Sequence, residues 1–183
     1  MTTIDLEQNV IHIHVPKTGG TSFEKTGCIA MPYIRHKTLY DCKKILENDE
    51  RTLDDFFKFG FVRNPYHRIA SGVLNHPMRG QDVANFSHFI KENQNMLHEW
   101  VVTKPMHTFL EIDGKMGVDF VGRFENIKND WAEVCRRLGK DPYLPHANAG
   151  RKHPPYDELY DDESRAIIAE HCKRDFEIFG YTP

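Results

Sequence analysis

The sequence predicts an α/β fold with a small central parallel sheet flanked by helices. Short runs rich in β-branched and aromatic residues recur at Val10–Val15, Phe59–Val62 and Phe120–Phe124, the composition of buried strands. Each run empties into a polar loop and then a stretch of helical periodicity, and strands alternating with helices imply parallel pairing. No internal repeat, low-complexity tract or linker interrupts the 183 residues, which read as a single domain over 1–183.

Taken in order, the first strand stops at Pro16, which has no N–H for a ladder. A short helix follows from Thr21 to Thr26, with Gly27 placed to stop it. Cys28–Arg35 reads as irregular chain or a short strand. Thr38–Leu46 is helical, with Thr38 and Asp41 at capping-box spacing, and Asp54–Phe57 is a short turn or helix. The strand Phe59–Val62 runs into Arg63–Ser71, where Pro65 suits a first helical turn that continues to Leu74. Val83–Ile90 is a further helix. Residues Gln94–Met116 carry no clear period and are expected to hold loops that meet an acceptor. After the third strand comes the cleanest amphipathic helix, with Ile127, Trp131, Val134 and Leu138 on one stripe and Gly139 closing it. A proline- and histidine-rich loop spans Asp141–Pro155, and a last helix runs from Asp161 or Asp162 to about Phe179 with acidic residues at its start.

Composition narrows the function. A net charge of -3 argues against a generally basic nucleic-acid binder. The N-terminal residues MTTIDLEQNV lack the basic and apolar regions of a signal peptide, and no apolar run approaches the length of a membrane helix. The expectation is a soluble, cytoplasmic protein with no membrane partner. Cys28, Cys42, Cys135 and Cys172 form no CxxC pair, so a zinc ribbon is not expected, and in an intracellular chain they stay reduced. His12 and His14 share one face of a strand, but no third ligand follows at a metal-binding spacing.

The chain is organised around VIHIHVPKTGGTS, Val10 to Ser22. Gly19 and Gly20 let the backbone fold tightly enough for successive N–H groups to converge on an anion. Thr21 or Ser22 then opens a helix whose N-terminus favours negative charge, and Lys17 adds a point charge. The plainer reading is an ordinary βα turn with a solvated lysine. Strand, lysine, glycines and hydroxyls occurring together favour an anion site. Arg63, Arg68 and Ser71 form a second basic element at the end of the second strand, and two such elements suit a ligand with two separate anionic groups.

Two motifs carry a resemblance. PKTGGTS (Pro16–Ser22) is similar to the 5′-phosphosulfate loop of sulfotransferases, and FVRNPYHRIAS (Phe61–Ser71) to their 3′-phosphate motif. VGRFEN (Val121–Asn126) and DFEIFGY (Asp175–Tyr181) also resemble the group containing the carbohydrate 2-O-sulfotransferases and their bacterial relatives. The resemblance covers nearly the whole chain and implies a P-loop-like three-layer fold. It also implies transfer of a sulfuryl group from 3′-phosphoadenosine 5′-phosphosulfate (PAPS) to a hydroxyl of a carbohydrate or small molecule. Backbone N–H groups of Thr18, Gly19, Gly20 and Thr21, with the Thr21 and Ser22 hydroxyls, would hold the phosphosulfate. Lys17 would meet the bridging oxygen, Arg63 and Ser71 the 3′-phosphate, and Arg151 or Lys152 would close over the nucleotide. His36, in YIRHKTLYD, would be the general base; its plainer reading is a surface histidine flanking a helix. His14 is expected to pack or to support the loop, His67 to be peripheral, and Glu125 to be structural. No metal is expected where lysine and backbone dipoles supply the positive field. The chain is short beside the larger family members, so glycosaminoglycan specificity does not carry over.

Two other readings compete. A P-loop kinase or nucleoside triphosphatase would read GxxxxGK[ST], with lysine after the glycines, whereas Lys17 precedes Gly19 and Gly20. A non-catalytic nucleotide-binding module would not require both Lys17 and His36.

Overall fold

The computed structural model describes residues 2–29, 33–34, 36–75, 85–145 and 155–183. The chain folds as two compact units, Met1–Val62 with Met106–Asn148, and Arg63–Pro105 with Ala149–Pro183.

The first unit holds a five-stranded sheet of β1 (Thr2–Asp5), β2 (Val10–Ile13), β3 (Tyr33–Ile34), β4 (Phe57–Val62) and β7 (Phe120–Arg123), in the order β3-β1-β2-β4-β7. The predicted strands β2, β4 and β7 are parallel, with His12 opposite Phe59 and Gly60 opposite Val121. Two antiparallel strands extend the sheet, β1 against β2 and β3 against β1, so the sheet is mixed rather than wholly parallel. Strand β1 had no sequence signature because Thr2, Thr3 and Asp5 are polar, yet all three are buried. Asp5 closes the β1–β2 turn by accepting the N–H groups of Glu7 at 3.1 Å and Gln8 at 2.9 Å.

Helices cover both faces of this sheet. On one face Phe59 and Phe61 of β4 meet Phe23 of α1 (Gly20–Glu24) and Trp131, Val134 and Cys135 of α6 (Ile127–Leu138). Phe23 stacks 4.7 Å from Trp131, and the Trp131 indole N–H donates to the Tyr143 carbonyl at 3.0 Å. On the other face the bare Cα of Gly60 admits Leu110 of α5 (His107–Leu110), and Leu39 of α2 (Leu39–Glu47) lies against Gly117. The capping box at Thr38 and Asp41 forms as predicted. The stretch that carried no period resolves in part into α5 and a small hairpin, β5 (Glu111–Ile112) with β6 (Lys115–Met116).

The second unit is helical: α3 (Pro65–Leu74), α4 (Phe86–Glu92), α7 (Asp162–His171) and α8 (Lys173–Phe179). Its core joins Tyr66, Ile69 and Val73 with Phe86, Ile90, Ile168 and Phe176. The last helix, predicted as one piece, kinks at Cys172, where φ is -106° and ψ is 16°. Just beyond the kink, fully buried Asp175 lies within electrostatic reach of the fully buried Arg68 guanidinium. Arg68 is a strut rather than a ligand-facing cation. It donates to the carbonyls of Val102 at 3.0 Å, Thr103 at 3.3 Å and Lys104 at 2.6 Å, holding this loop without help from regular structure.

Candidate functional site

The loop leaving β2 is tightly built. The Thr18 hydroxyl donates to the Val15 carbonyl at 2.8 Å, and the Ser22 N–H returns to the Gly19 carbonyl at 2.8 Å. Lys17 has φ +70° and Gly19 φ +93°. The left-handed region costs a non-glycine residue about 1 kcal/mol, so the surrounding structure must hold Lys17 there. A side chain at Gly19 would run into Ile127 Cδ1 and the Phe124 ring. That contact gives the VGRFEN motif a physical role, because its phenylalanine backs the loop. The backbone N–H of Arg123 donates to Asp130 at 2.6 Å, which seats this backing turn on α6.

The helix after the loop opens at Gly20, slightly earlier than predicted, and has five residues. One turn sums few peptide dipoles. Any preference of this loop for anions therefore rests on its N–H groups and on Lys17, not on a macrodipole. Thr21 is exposed, whereas Thr18 and Ser22 are buried.

Three imidazoles run in file beneath this loop. His12 stacks on Phe59 at 4.9 Å, lies 5.9 Å from His14, and His14 lies 5.2 Å from His36. Burial, the larger cause, pushes the His12 pKa down to about 3. His14 is held well below its ordinary value, first by burial and then by the electrostatic influence of neighbouring basic groups, His12, His36 and Lys17 among them. The 3.7 Å contact from His14 Nδ1 to a Glu24 carboxylate oxygen is therefore with a neutral ring rather than an imidazolium. The imidazole of His14 also fills the space into which a side chain at Gly20 would project.

His36 reaches this cluster through β3 and a hydroxyl bridge. Thr2 pairs with Ile34, and its Oγ1 accepts the His14 backbone N–H at 3.2 Å and donates to the Lys37 carbonyl at 2.8 Å. Thr38 then anchors α2 immediately downstream. Between these fixed points His36 is held at φ +35°, a strained value of the kind that clusters at functional sites. The sequence alone placed His36 in a loop; pairing of β3 with β1 puts it beside His14.

The second basic element lies in the helical unit. The Asn64 side chain caps α3 by accepting the N–H groups of Tyr66 at 3.0 Å and His67 at 3.3 Å, and Pro65 occupies the first turn. Arg63 precedes this cap with its guanidinium 5.2 Å from the centre of the Tyr156 ring. Ser71 is buried two turns into α3. His67 faces Asp157 at 3.2 Å, a contact within the helical unit. Arg151 and Lys152 lie outside the described residues. Thr2 and Glu24 belong to the loop cluster and Tyr156 to the surroundings of Arg63, each without a sequence signal, because each acts through a contact distant in sequence or on the far face of a turn.

Burial lifts the thiols of Cys42, Cys135 and Cys172 to about 12, which removes thiolate chemistry at these positions. All four cysteines are free. Among the described residues, no group of three His, Cys, Asp or Glu side chains is disposed to hold a metal ion, and no helix is long and apolar enough to cross a membrane.

A family model described as "Sulfotransferase family" matches residues 1–182. An "Uncharacterized protein" of Archaeoglobus fulgidus is 28% identical over 93 residues, covering 49% of this chain and 73% of the relative. No solved structure matches.

Proposed function

The chain belongs to the sulfotransferase family, and from that premise we propose that it transfers a sulfuryl group from PAPS to an acceptor hydroxyl, most simply on a carbohydrate. The observation that carries this reading is the convergence of His36 and the PKTGGTS loop on a single imidazole, His14. A loop that only bound nucleotide would not call for a strained histidine beside it. The continuous match over residues 1–182 supports treating both units as one sulfotransferase domain.

The roles follow from the chemistry required. In-line displacement forms a bond from the acceptor oxygen to sulfur and breaks the bond from sulfur to the bridging oxygen. The electron pair stays on the 5′-phosphate of the departing 3′-phosphoadenosine 5′-phosphate (PAP). We assign Lys17 to that developing charge, and the N–H groups of Thr18, Gly19, Gly20 and Thr21, with the Thr21 and Ser22 hydroxyls, to the phosphosulfate. His36 takes the acceptor proton as general base. Arg63, which Tyr156 steadies, and Ser71 are assigned to the 3′-phosphate, and Arg151 or Lys152 to closure over the nucleotide. Positioning and charge stabilisation do most of the work, as in phosphoryl transfer.

Calorimetry separates this reading from a kinase or triphosphatase: PAP should bind without magnesium and far more tightly than ATP. Equal affinity for adenosine 5′-phosphate would remove the 3′-phosphate role of Arg63 and Ser71. Radiolabelled PAPS incubated with a panel of saccharides and small alcohols tests transfer itself. His36→Ala should abolish turnover while leaving PAP affinity nearly unchanged; retained turnover strikes His36 as the base.

A further inference from the structure

His14 makes four contacts that no single local element supplies. Its backbone N–H is tied through the Thr2 hydroxyl to the Lys37 carbonyl, next to His36. Its ring is 5.2 Å from the His36 ring, its Nδ1 is 3.7 Å from Glu24 Oε1 on α1, and it occupies the side-chain space of Gly20 at the head of α1. A packing histidine would need only the last of these. Resting on the donor reading above, we propose that His14 is a positioning residue that sets the donor loop and the base His36 in register with each other.

The geometry explains two features of the sequence that the donor role alone leaves open. The backbone of Gly20 lies outside the left-handed region, so conformation does not demand a glycine there. The requirement comes from the imidazole that fills the space. An imidazole rather than an aliphatic side chain at residue 14 is also accounted for. The Glu24 carboxylate lies 3.7 Å from one nitrogen, near enough to favour one direction of the ring dipole, while burial keeps the ring neutral. His14 touches neither donor nor acceptor in this scheme; it acts by holding His36 and the loop backbone.

The test uses the full chain, PAP as binding probe, and PAP release from PAPS as the turnover measure, with the saccharide panel and with water alone. Gly20→Ala should weaken PAP binding at least about tenfold, since the new methyl meets the ring and moves the loop. His14→Ala in that background should recover most of the lost affinity by emptying the space. His14→Ala alone should hold PAP affinity and donor KM within about threefold yet lower kcat tenfold or more, with partial return in His14→Gln, which keeps a polar side chain. A residue that only stabilised the fold would lose binding and turnover together, and Gln would not restore turnover preferentially. Circular dichroism confirms that each variant is folded, and the Gly20→Ala pair keeps the question answerable if His14→Ala alone is unstable. Wild-type turnover in folded His14→Ala, or no recovery of PAP binding in the double variant, overturns the inference while leaving the donor reading intact. Wild-type protein that fails to bind PAP, or binds it and never turns over PAPS, overturns the donor reading and the inference with it.

Discussion

Acidification should destabilise this protein through His12, and the size of the effect can be worked out in advance. The ring is 2% exposed, stacked on Phe59 at 4.9 Å and edge-on to Phe23 at 5.6 Å. Its pKa falls from 6.5 to about 3 on folding. A depressed histidine leaves the unfolded chain binding more protons, so stability is complete above pH 6.5 and is lost as pH falls toward 3. At about 1.4 kcal/mol per pH unit, the loss is about 2 kcal/mol between pH 7 and pH 5, and about 5 kcal/mol once the folded-state value is passed. A loss of about 2 kcal/mol is a large fraction of a typical domain's stability. The comparison is His12→Phe, which keeps an aromatic ring in the stack and removes the titration. Urea unfolding of both proteins from pH 7 to pH 5 should show the wild type losing about 2 kcal/mol more than the variant. His171 also has a lowered value but titrates in both proteins and cancels in the difference, whereas His14 is lowered partly by His12 and so adds to the gap in the same direction. Parallel stability curves, or a His12 ring resonance titrating near pH 6.5, would refute the reasoning.

Three further outcomes follow from the same structure. Lys17→Met should lower turnover by about a hundredfold or more while PAP binding weakens less, because the lysine meets charge that develops mainly in the transition state; a uniform loss in both would make it a binding residue only. Arg68→Leu should destabilise the fold by about 3 kcal/mol, read from the urea midpoint, because three carbonyls and buried Asp175 lose their cation; a change below about 1 kcal/mol would show that water replaces the guanidinium. Thr38→Val should cost about 1 kcal/mol by removing the α2 cap, and the same substitution should lower turnover if anchoring α2 helps to hold His36.

Much of the architecture was legible because local chemistry and tertiary outcome agreed. Phe59–Val62 and the positions Val10, Ile11 and Ile13 are apolar enough to demand burial, although β4 begins two residues earlier, at Phe57, and the stop at Gly139 and the cap at Thr38 act through neighbours only a few residues away. Strand β1 was hidden because three of its four buried residues are threonines and an aspartate, whose burial is acceptable only once partners such as the Lys37 carbonyl and the Glu7 and Gln8 N–H groups are in reach. The kink at Cys172 was hidden because the apolar stripe runs on through it, while the buried Arg68 and Asp175 charges are not part of any helical period.

The site divides in the same way. The sequence by itself determined the loop, since Lys17, Gly19 and Gly20 are adjacent and their backbone consequences are local. It also determined the start of α3 behind Arg63 through Pro65, and the structure adds the equally local cap from Asn64. Only the tertiary structure decided that Arg68 is a strut, that Phe124 backs Gly19, and that His12, His14 and His36 stand in file. The last of these depends on strand order. Which imidazole meets which is set when β1 enters between β2 and β3, and a pairing between distant segments leaves no periodicity in either of them to read.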